Sequence, residues 1–284
     1  MRWSWQGQAL CIGVDEAGSG APVLLLPALS SISTRREMHP LMQLLGTRAH
    51  VMAPDWPGFG EQPRPPIAWT PDALSSFLDQ FVREEVPALH GTVAAGHAAS
   101  YALHLATEKP GVLGRLVLVA PTWRGPLPTM AGGYRPVFGT IRRTIALPVI
   151  GPLLYRLNVN RLLVRMMVAG HVYRDLRALS NEQRKDKQRV IRTSGARFGS
   201  AAFVTGGLDR VHSREAFLDL ASRAERAILV AFGAETPPKS RAEMDALAAL
   251  PTAQSVVAPC GKLGIHEESA EEICAAIEEF LFHG

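Results

Sequence analysis

The chain has 284 residues, 47% of them hydrophobic and 20% charged, with a formal net charge of +4. That length and apolar content suit one large buried core carrying an insertion, and they exclude a disordered chain or a small scaffold that needs staples. Cys11, Cys260 and Cys274 have no metal-ligand spacing and cannot all pair, and Met1-Arg2-Trp3-Ser4-Trp5 lacks the apolar stretch of a signal peptide, so a reducing, cytoplasmic compartment is the expectation.

In chain order, Trp3 and Trp5 belong to a first strand as packing residues. Val23 to Leu26 is an unbroken apolar run that predicts a buried strand leading into Pro27-Ala28-Leu29. Thr34 to Leu45 reads as a helix and His50 to Ala53 as a short strand, followed by the turn Asp55-Trp56-Pro57-Gly58-Phe59-Gly60. Thr70-Pro71-Asp72 opens another helix with an N-cap and a proline in its first turn. Thr92 to Ala95 predicts a strand and Ala98 to Thr107 the helix after it. Arg115 to Ala120 is a strand ended by Pro121, and Ala227 to Phe232 is a strand leading into Gly233-Ala234-Glu235-Thr236. Ser255 to Ala258 is the last strand, followed by Gly261-Lys262-Leu263-Gly264-Ile265-His266-Glu267-Glu268 and a helix to Phe282. Strands alternating with helices predict an α/β fold, a mostly parallel central sheet with helices on both faces.

Two motifs narrow this class. Gly96-His97-Ala98-Ala99-Ser100 resembles the Gly-x-Ser-x-Gly nucleophile elbow, in which a strained strand-to-helix turn exposes the nucleophile. The turn from Asp55 to Gly60 resembles the Asp-x-Pro-Gly-x-Gly loop of the α/β-hydrolase superfamily. On these motifs, and on strands that flank both, the chain is identified as a divergent member of that superfamily. The resemblance implies an α/β-hydrolase core over residues 1–121 and 205–284, with an inserted helical cap over 122–204.

Carried over residue by residue, the resemblance puts Ala98 at the nucleophile position, where a methyl group cannot form an acyl-enzyme. Ser100 replaces the family's second glycine on the first helical turn, and His97, the residue before the nucleophile, is expected to be structural. The family's acid follows the penultimate strand. Thr236 holds its place here, leaving Glu235 as the candidate acid and Asp209 as the nearest alternative, itself a good turn cap. His266 stands where the family keeps its catalytic histidine, and an imidazole of pKa about 6.5 can act as general acid or base. The N–H groups of Leu29 and Ala99 take the oxyanion-hole positions, although Pro27-Ala28 replaces His-Gly. Trp56, Trp123 and Tyr134 fall on pocket-side loops and are expected to line an apolar ligand site. Departures at the elbow's nucleophile and last glycine, at the acid and at His-Gly together favour natural divergence over one engineered substitution. No cofactor and no metal are expected, since there is no phosphate-binding glycine loop and no clustered ligand set.

The cap segment is lopsided in charge. Fifteen Lys and Arg face three acidic residues between 122 and 204, a net +12 that leaves −8 for the remainder of a +4 chain. The basic residues alternate with Ile150, Leu153, Leu154, Leu157, Leu162, Leu163, Met166, Met167 and Val168. Its longest uncharged apolar run, about Thr144 to Tyr155, is too short to span a bilayer. Such a surface suits anionic lipid headgroups or an amphiphilic ligand. Apolar stripes at helical spacing usually mean core, however, which favours a soluble cap with its apolar residues packed inward and its arginines in water. Nucleic acid is not expected, because the arginines are not interleaved with stacking aromatics.

Three readings stay open: a non-hydrolytic acid–base enzyme working through His266 on a hydrophobic small molecule, a ligand-binding or membrane-associated accessory protein, and a serine ester hydrolase inactivated at Ala98. Fold alone does not choose between them.

Overall fold

The computed structural model describes residues 1–86, 88–158, 170–175, 179–224 and 227–283. Its frame is a seven-stranded sheet in the order β3-β5-β4-β6-β7-β8-β9. These strands are β3 (Val14–Ala17), β4 (Ala21–Leu26), β5 (Ala49–Pro54), β6 (Gly91–Ala95), β7 (Arg115–Val119), β8 (Ile228–Gly233) and β9 (Ala253–Ala258). All pairs are parallel except the edge pair of β3 with β5. A separate antiparallel ribbon, β1 (Arg2–Trp5) with β2 (Gln8–Cys11), precedes the sheet. There Trp3 stacks on Trp5 at 5.9 Å and meets Phe77 edge-on at 5.5 Å, the packing role expected of both tryptophans.

The central strands are apolar on both faces, because helices cover both. Val23, Leu24, Leu25 and Leu26 of β4 are fully buried, as are Val93, Ala94 and Ala95 of β6. Helix α1 (His39–Leu45) packs against the last helix, α12 (Ala270–Phe282), while α2 (Pro71–Glu85) and α3 (Ala98–Glu108) pack together, with α9 (Arg214–Ser222) against α3. Thr70 caps α2 as expected, its side chain accepting the Ala73 N–H. Between β7 and β8 lie α4 (Pro126–Ala131), α5 (Pro136–Ala146), α6 (Ile150–Asn158), α7 (Asn181–Arg192) and α8 (Ala196–Val204), all before α9. After β8 come α10 (Pro238–Ala248), β9 and the short α11 (Ile265–Glu268). Leu162, Leu163, Met166, Met167 and Val168, expected in a cap, lie outside the described residues.

One expected helix is two elements. Thr34 to Leu45 breaks into a 3-10 turn, Arg35–Met38, and α1. Pro40 has no N–H to give to the Arg36 carbonyl, so the α-helical ladder cannot run through it and α1 starts afresh there. The Thr34 hydroxyl also leaves its capping position, donating to Asp55 Oδ1 at 2.9 Å. This break aims Glu37 inward.

Candidate active site

Parallel strands present their carboxyl ends to one edge, where a doubly covered sheet places its sites. The loops following β4, β6, β7, β8 and β9 all end there. The strand-to-helix turn after β6 is tight: Gly96 N–H donates to the Val119 carbonyl at 2.9 Å, and the Gly96 carbonyl accepts from Thr122 N–H at 3.0 Å. Its left-handed residue is Gly96, with φ +52°. A Cβ built there would stand 3.0 Å from Ala28 Cβ, so this position faces the loop after β4.

That geometry corrects the register of the elbow. Ala98 does not occupy the strained turn. It is the first residue of α3 and fully buried. The motif's spacing pointed to Ala98, but the chain reverses two residues earlier, where only glycine takes a positive φ at no steric cost. Ala99 is displaced as an oxyanion donor too, since its N–H goes to the Gly96 carbonyl at 3.3 Å. Ser100 Oγ donates to the His97 carbonyl at 3.0 Å and is fully buried in the helix.

On the facing loop the backbone donor in use is Ala28 N–H rather than Leu29, a buried core residue. Ala28 N–H donates to Glu37 Oε1 at 2.6 Å. The same carboxylate oxygen lies 3.2 Å from His266 Nε2. Glu37 and His266 are each only 3% exposed. The approach is off the line of a hydrogen bond, and among the described residues neither ring nitrogen of His266 has a hydrogen-bond partner. Burial alone would raise the Glu37 carboxyl. The His266 imidazole beside it, the Lys187 ammonium and the Ala28 N–H outweigh burial and hold it below the ordinary carboxylate range.

Glu37 is carried by a rigid ion network. Arg35 Nη1 donates to Asp55 Oδ2 at 2.6 Å, Arg35 N–H to Asp55 Oδ1 at 2.7 Å, and Arg35 Nε to Asp15 Oδ1 at 2.7 Å. The Asp55–Gly60 loop is built to hold that carboxylate: a Cβ at Gly60 would come within 2.3 Å of Asp55 Cγ. The loop thus serves the segment two residues from Glu37.

His266 is the second residue of α11, and its neighbours bond to the segments between β7 and β8. Glu267 accepts from Lys187 Nζ at 2.8 Å and from the Tyr173 hydroxyl, while Glu268 accepts the Arg174 N–H at 2.8 Å. Arg36 pairs with Asp186 at 3.1 Å, and Arg189 with Glu61 at 3.1 Å.

The other expected site residues lie elsewhere. Glu235 points outward to Arg174 at 3.3 Å with its side chain 39% exposed, so it does not orient His266. Thr236 Oγ1 donates to the Gly233 carbonyl at 2.8 Å, closing the turn where an acid would project. Trp56 is a core residue, donating from Nε1 to the Pro27 carbonyl at 2.8 Å and packing against Tyr101 and Phe77. Trp123 donates to Glu243 at 3.2 Å beside a cleft of about 30 Å³ bounded by Arg124, Thr129 and Lys239. Tyr134 is exposed on the inserted segment, edge-on to Phe138. His97 is structural, donating from Nε2 to the Leu208 carbonyl at 3.2 Å, and burial brings its pKa down to about 4. Asp209 accepts the Gly125 N–H at 2.9 Å, and burial raises it to about 7.

Glu37 was not foreseen. In the expected helix it falls in the first turn, where a carboxylate suits the helix dipole and nothing marks it as a site residue. A signal was present: the Asp55 loop needed a basic partner, and Arg35-Arg36 stand directly before Glu37.

A family model described as "Alpha/beta hydrolase family" matches residues 23–276. Among solved structures, a thermophilic esterase from Thermogutta terrifontis is similar at 22% identity and TM-score 0.70, over 99% of this chain and 98% of that one. A hydrolase from Pseudomonas aeruginosa PA01 is similar at 16% identity and TM-score 0.73, over 99% and 98%. The haloalkane dehalogenase DatA from Agrobacterium tumefaciens C58 is similar at 18% identity and TM-score 0.71, over 99% and 95%. No curated protein sequence matches the chain. At these identities the structural likeness establishes the fold.

Proposed function

Because the chain belongs to the alpha/beta hydrolase family, we propose that it is an acid–base enzyme acting on a small hydrophobic molecule, with Glu37 and His266 in place of a serine–histidine pair. The observation that carries this reading is the contact of Glu37 Oε1 with both Ala28 N–H and His266 Nε2. An ionised carboxylate deep in an apolar core costs several kcal/mol unless it is paired and hydrogen-bonded. Proton-transfer chemistry makes use of such a charge. With the Glu37 carboxylate beside it, the His266 imidazole takes a proton from a substrate or a water and returns it, with no covalent intermediate.

The absence of a hydroxyl at Gly96 supports catalysis without an acyl-enzyme. Glu37 also sits on a backbone donor that an acyl oxyanion would otherwise use, which counts further against that route. Two reaction classes use such a pair: proton removal from carbon next to a carbonyl, and deprotonation of water for direct hydrolysis. The esterase and dehalogenase likenesses lend support to the second.

The test uses p-nitrophenyl esters of graded acyl length for hydrolysis, and deuterium uptake from D₂O into simple cyclic ketones for proton removal. Turnover in either assay that falls about 10²- to 10⁴-fold in both Glu37→Gln and His266→Ala supports the proposal. Turnover that survives both substitutions overturns it. An accessory role in ligand binding gains support if neither assay responds while a hydrophobic dye binds the folded protein.

A further inference from the structure

We infer that the corner formed by α5 and α6 is a docking surface for an anionic lipid bilayer. Exposed large apolar side chains are concentrated there: Val137, Ile141, Leu147, Val149, Ile150 and Leu153 are all at least 36% exposed, and Val149 reaches 84%. Elsewhere among the described residues the exposed large apolar or aromatic side chains are Met130 on α4, Tyr134 just before α5, and Val257. Helix α5 is apolar on two sides. Phe138 and Ile145 are buried inward, while Val137 and Ile141 face out. Among the described residues the outer apolar side chains have no protein partner to bury them, while Thr140, Arg143 and Thr144 keep part of the helix polar.

Shape and charge identify that medium. Pro136–Ala146 and Ile150–Leu157 meet at 112°, so Leu147, Pro148 and Val149 form a projecting apolar elbow. Among the described residues no single helix is long and apolar enough to cross a membrane. This shape suits shallow insertion at the headgroup boundary. Arg135, Arg143 and Arg156 are exposed around the elbow, and no Asp or Glu occurs between residues 121 and 158. With −8 outside the cap segment, an anionic surface repels the rest of the molecule and draws in this corner. A protein partner would need an apolar groove rimmed with carboxylates, whereas an anionic bilayer offers both features on any patch.

The test is flotation of the full chain with vesicles of phosphatidylcholine alone or with about one-third phosphatidylserine, at low and at physiological salt. Binding is expected to anionic vesicles, at least tenfold weaker to neutral ones, and weakened by salt as exposed charges are screened. Arg143→Glu should weaken it about fivefold or more. Val149→Asp with Leu153→Asp should abolish it while leaving the thermal transition in place, since both side chains are already in water. Failure to float at low salt, or flotation that survives the paired Asp substitutions, overturns the inference. So does a stable dimer in solution that those substitutions dissolve, because a second copy would then be the occupant.

Discussion

Two buried ionic clusters stand two residues apart on one 3-10 turn, and they differ in how completely they are satisfied. At Arg35 and Asp55 each carboxylate oxygen and most guanidinium donors have a partner. At Glu37 and His266 the carboxylate has one backbone donor, and neither imidazole nitrogen is hydrogen-bonded among the described residues. Buried polar groups are ordinarily paired, because an orphan forfeits its hydration without replacement. A saturated cluster is scaffold. A cluster with spare donor and acceptor capacity, next to an elbow and held rigid by the first, has the character of a reaction site.

The largest expected effect separates the two by readout. Substituting Glu37→Gln should remove most activity, about 10²- to 10⁴-fold. Its amide oxygen still accepts the Ala28 N–H, so the loss of stability should be small beside that of Arg35→Ala. Arg35→Ala leaves Asp55 buried without its cationic partner, which costs on the order of 3–5 kcal/mol in chemical denaturation. If Glu37→Gln unfolds the protein and Arg35→Ala does not, the roles are reversed and the comparison fails.

Acid unfolding sharpens the same contrast. The folded Glu37 carboxyl ionises below its ordinary value of 4.5, so its contribution to stability is complete above that pH and lost as pH falls through the lower folded value. Asp15, brought down to about 2 by His39 and Arg35 against the opposing effect of burial, behaves in the same sense between about pH 4 and 2. Glu37→Gln should therefore flatten the acid limb of the stability profile, and Arg35→Ala should flatten the part that Asp15 contributes.

A third pair behind the elbow has a distinct signature. Asp209, raised to about 7, keeps its proton in the folded state where the unfolded chain has lost it, so stability falls as pH rises from about 4 to 7. His97, lowered to about 4, stays neutral where the unfolded chain is charged, so stability rises with pH from about 4 to 6.5. The two slopes oppose. Asp209→Asn should expose the histidine slope, about 1.4 kcal/mol per pH unit, in urea titrations between pH 4.5 and 6.5. An unchanged profile would show that these residues do not titrate as their burial requires.

Most of the frame was legible in the sequence because it rests on periodicity. Val23 to Leu26 and Arg115 to Val119 are apolar runs that a doubly covered sheet demands, and the strand boundaries moved by no more than two residues at most ends. The strand β3 was not legible, because Asp15 and Glu16 disguise it and their partners Arg35, His39 and His50 are distant in the chain. His266 was placed by its register with β9. Its partner was not, since the usual acid position after β8 directed attention to Glu235 and Thr236. A carboxylate on another element is invisible to a motif that counts residues along the chain.

The elbow itself carries the smallest expected effect. Motif spacing makes Ala98 the missing nucleophile, whereas the backbone makes Gly96 the residue of the strained turn. Ala98→Ser would add a hydroxyl inside the first turn of α3, where it has no path to an ester. Stability should change by about 1 kcal/mol and ester turnover not at all. Gly96→Ser would impose a side chain on a φ of +52° and bring its Cβ to about 3 Å from Ala28, costing roughly 1–2 kcal/mol. It is nonetheless the substitution that would put a hydroxyl on the turn facing the Ala28 loop. Assaying both variants on the same ester panel decides the register. A response from Gly96→Ser alone confirms the two-residue shift. A large gain from Ala98→Ser would restore the motif alignment and return Ala99 N–H to the oxyanion hole, and Glu37 would then be a bystander in a lapsed serine hydrolase.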